Sequence, residues 1–189
     1  EAASEEIPET VQGVSFMELF GKPGRKFRNF VFAEHNWHDY EAHERMVRGR
    51  NFLYILNSRP QYSQAGPADA IGSPSYIELD SLRKTGNITT IQADIFTAPR
   101  KAEEMYDLRS DPGQFNNVAG KKGYVKETET MREILRTWMT VTGDNVPQNL
   151  TKDWYLRIPG YRKTADHGIR GEAPGVKNDA IHNNNKGLF

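Results

Sequence analysis

The chain has 189 residues, 37% hydrophobic and 26% charged, with 25 Lys+Arg balanced by 25 Asp+Glu for a formal net charge of zero. That balance argues against a nucleic-acid binder, which gains affinity by displacing counterions with a basic excess. The lack of cysteine excludes disulfides, thiolate metal sites and a cysteine nucleophile within these residues, and no apolar run approaches membrane-spanning length.

The opening EAASEEIPET reads as the interior of a longer protein. Ser15 is placed to cap a short helix carrying Phe16, Leu19 and Phe20, ended by Gly21 and Pro23. Phe27 to Ala33 (FRNFVFA) has the composition of a strand buried on both faces. The polar run EHNWHDYEAHE after it reads as a loop. Arg45 to Arg48 and Asn51 to Asn57 then flank Gly49-Arg50 as a hairpin.

Ser58 to Gly72 is rich in loop formers, and Ser73-Pro74 supplies a capping residue and a first-turn proline for a helix carrying Tyr76, Leu79 and Leu82. Thr89 to Phe96 is a weaker helical stretch. Glu103 to Leu108 (EEMYDL) reads as a strand followed by the turn SDPGQ. The strongest signal is a helix from Tyr124 to Val141, with Met131, Ile134, Leu135, Trp138 and Val141 in one apolar stripe and Gly143 at the C-cap. Beyond Pro147 apolar residues thin out. The pattern is α+β.

Three separated segments carry a family resemblance. Ile7-Pro8, Gln12-Gly13 and Ser15-Phe16 fit I-P-x-x-x-Q-G-x-S-F, and Arg45 to Arg48 with Phe52 to Asn57 fits an R-x-V-R hairpin ending in I-x-N. Glu103 to Leu108, Asp111-Pro112 and Asn116 to Ala119 closely resemble E-E-L-Y-D-L-x-x-D-P-x-E-x-x-N-L-A. In this order and spacing, over roughly residues 7 to 160, the chain resembles the C-terminal portion of sulfatases of the alkaline-phosphatase-like superfamily. Ser73 to Tyr76 and Leu79 to Arg83, in the insertion before EEMYDL, look most like the N-sulfoglucosamine (heparan) sulfohydrolase branch.

The resemblance implies a division into residues 1–40, the last elements of the catalytic α/β domain, residues 41–160, a C-terminal subdomain with a small antiparallel sheet packed against the long terminal helix, and residues 161–189, an extended polar tail. It also implies an exported enzyme that hydrolyses sulfate esters or N-sulfates of sulfated, glycosaminoglycan-like sugars. Its partners are then the sulfated sugar and the N-terminal catalytic domain of the same protein, with no nucleic acid and no membrane.

Sulfatase chemistry requires a formylglycine nucleophile made in a C/S-x-P-x-R motif, and a divalent cation, usually calcium, on oxygen ligands. Neither Ser58-Arg59-Pro60 nor Ser73-Pro74-Ser75 has that order, so no catalytic residue is assigned here and none to a metal. Formylglycine and calcium are expected in an N-terminal part, and the chain alone is expected to be inactive. Asp144-Asn145 and Asp166-His167-Gly168 imitate metal motifs but read as turn and loop.

The substrate-binding candidates are His35, Trp37, His38 and Asp39, in the polar run after a core strand. Imidazoles there can donate to sulfate or hydroxyls, and an indole can stack on a sugar ring. The resemblance places this run at the substrate pocket, with His38-Asp39 matching a His-Glu pair. Arg45 and Arg48 are possible anion contacts or surface ion pairs. The competing readings are a stand-alone carbohydrate-binding or interaction module, and a phosphodiesterase or phosphatase of the same superfamily.

Overall fold

A computed structural model describes residues 4–6, 13–64, 66–157 and 165–178. Among these residues four strands, β1 (Val31–His38), β2 (Tyr40–Arg48), β3 (Phe52–Asn57) and β4 (Glu103–Asp107), form one antiparallel sheet in the order β1-β2-β3-β4. The helices are α1 (Glu18–Gly21), α2 (Pro74–Lys84) and α3 (Val125–Val141). α2 lies in the long excursion between β3 and β4, and α3 packs on β2 and β3. The fold is α+β, a small sheet covered by its last helix.

The core follows from strand alternation. Phe32 pairs with Val47, Val47 with Tyr54 and Tyr54 with Met105, a cross-strand row on the face beneath α3. Met131 and Leu135 of α3 press onto Val47, Tyr54 and Met105, and all five are buried. Tyr54 Oη donates to Glu103 Oε1 at 2.7 Å, and Arg132 holds both oxygens of Glu103 at 2.7 Å. The helix is thus fastened by a fork as well as by apolar contact.

Several local expectations hold. Ser73 accepts from Tyr76 N with Pro74 opening α2, the β2–β3 hairpin forms, and β4 coincides with EEMYD. Residues 92–96 make only a 3₁₀ turn. α3 ends with Gly143 at φ +75°, and its closing bonds run from Gly143 N to Thr140 O and from Asp144 N to Met139 O, the Schellman pattern.

Other expectations need correction. EHNWHDYEAHE is not a loop: it forms the second half of β1 and the first half of β2, reversing at Asp39. FRNFVFA is not buried on both faces, since β1 is an edge strand with Val31, Ala33, Glu34 and His35 exposed. The division expected at residue 40 runs through the tip of this hairpin, and Val31–His38 belongs to the small sheet. Within the α3 stripe Trp138 is half-buried and stacks on Phe32 of β1 at 5.0 Å and 4°, while Leu135 occupies the centre. The Ile7 to Gln12 motif, and residues 161–164 and 179–189 of the expected tail, lie outside the described residues.

Candidate functional site

The β1–β2 hairpin turns on one residue. Asp39 adopts φ +64°, a left-handed conformation that Asp tolerates better than most side chains. Its Oδ2 accepts from Ala68 N at 2.8 Å and its carbonyl from Trp154 N at 2.9 Å. Asp39 therefore ties the tip to two distant loops. Next to it Tyr40 is buried, and burial together with the Asp39 charge pushes its hydroxyl up to about 12.

The four sequence-derived candidates do not converge on one point. A register break between His35 and Trp37 separates their surroundings. His35 Nδ1 bonds Glu44 Oε2 at 2.9 Å, and Glu44 also pairs with Arg100. Burial pushes the Glu44 carboxyl up, but the hydrogen bond from His35 and the Arg100 charge outweigh it and hold the group at about 2. These residues, with Asn57, Arg59 and Tyr62, line a narrow cleft. Arg59 pairs with Glu41 at 2.8 Å, so this cleft is largely self-neutralised.

Trp37 lies elsewhere. Its Nε1 donates to Lys152 O at 3.0 Å, and its ring meets Trp154 edge-on at 4.6 Å. Arg170 sits 4.5 Å from the Trp37 ring centre and 4.4 Å from that of Trp154. Trp154 Nε1 in turn donates to Ile169 O at 3.2 Å. His38 is exposed and makes no hydrogen bond among the described residues.

The segment around Trp154 is welded to the hairpin by charge. Asp153 accepts from Glu41 N at 2.6 Å and pairs with Arg157, which also donates to Glu41 O and Ser63 O, both at 2.6 Å. Residues 149–151 and 171–172 run side by side, with Glu172 N donating to Asn149 O and Gly171 N to Thr151 Oγ1. A Cβ at Gly171 would come within 2.3 Å of the Leu150 carbonyl carbon. Only glycine fits this backbone contact.

Sequence reasoning passed over Lys152, Trp154 and Arg170, whose signal was two aromatics and nearby basic residues (KDWYLR) in a stretch short of aliphatic residues. Asp144 and Asn145 are structural. The fully buried Arg45 donates to both Asp144 oxygens at 2.6 and 2.7 Å, and to Asn36 Oδ1 at 2.8 Å. Asn145 O is 3.0 Å from His43 Nε2. Burial, reinforced by the Arg45 charge, lowers the His43 pKa. Among the described residues no group of three or more His, Asp or Glu side chains is arranged to hold a metal ion. Arg45 is thus an internal ion pair and not an anion contact.

No family model matches. An ulvan-active sulfatase of Formosa agariphila is 31% identical over 156 residues, covering 79% of this chain and 26% of that protein. A second ulvan-active sulfatase of the same organism is 24% identical over 155 residues, covering 79% of this chain and 28% of its own length. A solved 2-O GAG sulfatase is 22% identical, with a TM-score of 0.45, over 73% of this chain and 22% of that one. Over this span the chain is similar in sequence to sulfatases. It spans about a quarter of the length of the ulvan-active sulfatases it matches. No helix among the described residues is long and apolar enough to cross a membrane.

Proposed function

We propose that the chain is the C-terminal part of an exported sulfatase acting on sulfated sugars, and that it supplies substrate contacts while the nucleophile and cation lie in another part of the protein. The observation that carries this reading is the 156-residue match to an ulvan-active sulfatase. A second feature supports it. Phe16, Met17, Phe20, Phe27 and Val31 are exposed, Phe20 at 75% and Phe16 at 58%. An apolar run of this kind along residues 16–31 is what an adjoining catalytic domain would cover. A self-contained interaction module would have a sealed surface there.

In this reading, formylglycine and calcium reside in the catalytic domain. The hairpin tip faces the sugar, with His38 free to donate and Trp37 presenting an aromatic surface. Asp39 shapes the tip, and His35 sits in the neighbouring cleft. The finer proposal, from the sequence resemblance, is an N-sulfated glucosamine unit as substrate. The parent enzyme decides it. Turnover of N-sulfoglucosamine above that of an O-sulfated sugar supports the N-sulfatase branch, and the reverse order replaces it with an ester sulfatase. The isolated chain should give no turnover with calcium and an aryl sulfate. Hydrolysis abolished by a mutation within residues 1–189 would overturn the division of labour.

A further inference from the structure

Beside the hairpin tip, an open cleft of about 200 Å³ lies between residues 149–152 and 166–171. Two cations line it, Lys152 and Arg170, both exposed. Neither has a carboxylate partner among the described residues, in contrast to Arg45, Arg59, Arg100 and Arg157, each paired with an acid. Among the described residues Asp166 is the single carboxylate in the lining, so their charges sum to a positive value.

The position of Arg170 matters most. It is held by the faces of Trp37 and Trp154 and not by an acid. Cation–π contact fixes a guanidinium without neutralising it, which leaves its planar donors available to an anion. A pair of half-buried indoles beside a fixed cation suits a pyranose bearing an acidic substituent: the sugar packs against the indole pair and the acid meets the fork.

We infer that Lys152, Arg170, Trp37 and Trp154 form a subsite for an anionic pyranose, holding a sulfate or carboxylate on a sugar of an extended polysaccharide. The inference rests on the sulfated-sugar reading above and deepens it, because it assigns a contact to a segment outside the hairpin. The Gly171 contact builds the cleft by letting its two walls approach until Glu172 N donates to Asn149 O and Gly171 N to Thr151 Oγ1.

The test is a tryptophan-fluorescence titration of the full 189-residue chain with a heparin tetrasaccharide. Saturable quenching is expected, with Lys152→Gln and Arg170→Gln each weakening binding about tenfold, the loss expected for one charge-assisted hydrogen bond. Arg170→Lys should recover part of the loss, Lys126→Gln on α3 should have no effect, and all four variants should melt with the wild type. A fully desulfated tetrasaccharide keeps its carboxylates: retained binding assigns the carboxylate, lost binding assigns the sulfate, and either supports the subsite. Quenching that ignores both Gln variants, or that inorganic sulfate reproduces at the same concentration, overturns it. The parent enzyme separates this inference from the reading beneath it. An active parent whose kcat/KM on polymer is untouched by Arg170→Gln removes the subsite alone. An inactive parent with the binding results intact removes the sulfatase reading and leaves the subsite.

Discussion

The two ends of β2 treat arginine in opposite ways. Toward α3, Arg45 is fully buried and all its charge is spent inside the protein, on Asp144, Asn36 and the Glu44 carbonyl. At the hairpin tip, Arg170 rests on two indoles and no acid. The first arrangement specifies a fold. Removing one partner of a buried pair leaves a charge stranded in low dielectric, which is why such pairs are costly to break even where they add little net stability. The second arrangement leaves a cation positioned but unsatisfied. Cation–π contact stabilises only weakly at an exposed site and leaves the charge open to an anion, which makes it a mark of binding.

The sharpest way to break the contrast is Arg45→Ala. It should destabilise the chain by about 3–5 kcal/mol in denaturant unfolding, through the stranded Asp144. Arg170→Ala should cost under about 0.5 kcal/mol, as exposed positions do. Equal losses would mean that Arg170 is structural and the two ends are alike.

Next in size are the two stripe residues of α3. Leu135→Ala should cost about 2–5 kcal/mol, because Leu135 is fully buried in the core. Trp138→Ala should cost about 2 kcal/mol, the half-buried stack on Phe32 being lost at the sheet edge. A larger effect at Trp138 would move the centre of the core toward β1.

The closed end should also respond to pH. The His43 pKa is lowered in the folded state, so the unfolded chain takes up a proton first. Stability is complete above the ordinary histidine value and is lost as pH falls below about 6.5, at up to about 1.4 kcal/mol per pH unit until the folded ring also protonates. His43→Gln should flatten that slope in melts between pH 7 and 5. An unchanged slope would assign it to other groups.

The smallest expected effect is at the tip. His38→Ala should leave the denaturation midpoint within about 0.5 kcal/mol of wild type, because the ring is exposed and without a hydrogen bond among the described residues. In the parent enzyme it should raise KM for the sugar about 3- to 10-fold, the worth of one hydrogen bond, while leaving a small aryl sulfate unaffected. Equal losses on both substrates would place His38 at the sulfate.

What the sequence made legible divides along the same line. α3, its Gly143 stop, the Ser73-Pro74 cap and the β4 motif could be read because their causes are local: periodicity, capping and turn chemistry act within a few residues. EHNWHDYEAHE misled because strand residues this polar look like loop. Their justification lies far along the chain, since Arg45 meets Asp144 and Trp37 meets Lys152 only after folding. At the site, Trp37 and His38 were recognisable as chemistry, but their company was not. Lys152, Trp154 and Arg170 lie beyond Pro147, where apolar residues thin out, and indoles held by a guanidinium and by main-chain carbonyls need no aliphatic neighbours.

Gly171 turns the cleft into something that can be sorted by letter. Its missing side chain is the space through which one strip of backbone touches another. Alanine there would prise the strips apart, and the wall carrying Arg170 would move off the wall carrying Lys152. Among relatives of this chain, glycine at the equivalent position, with a tryptophan 17 residues before it and an arginine one before it, should mark those that retain the cleft. A larger residue should mark those that grip their sugar another way.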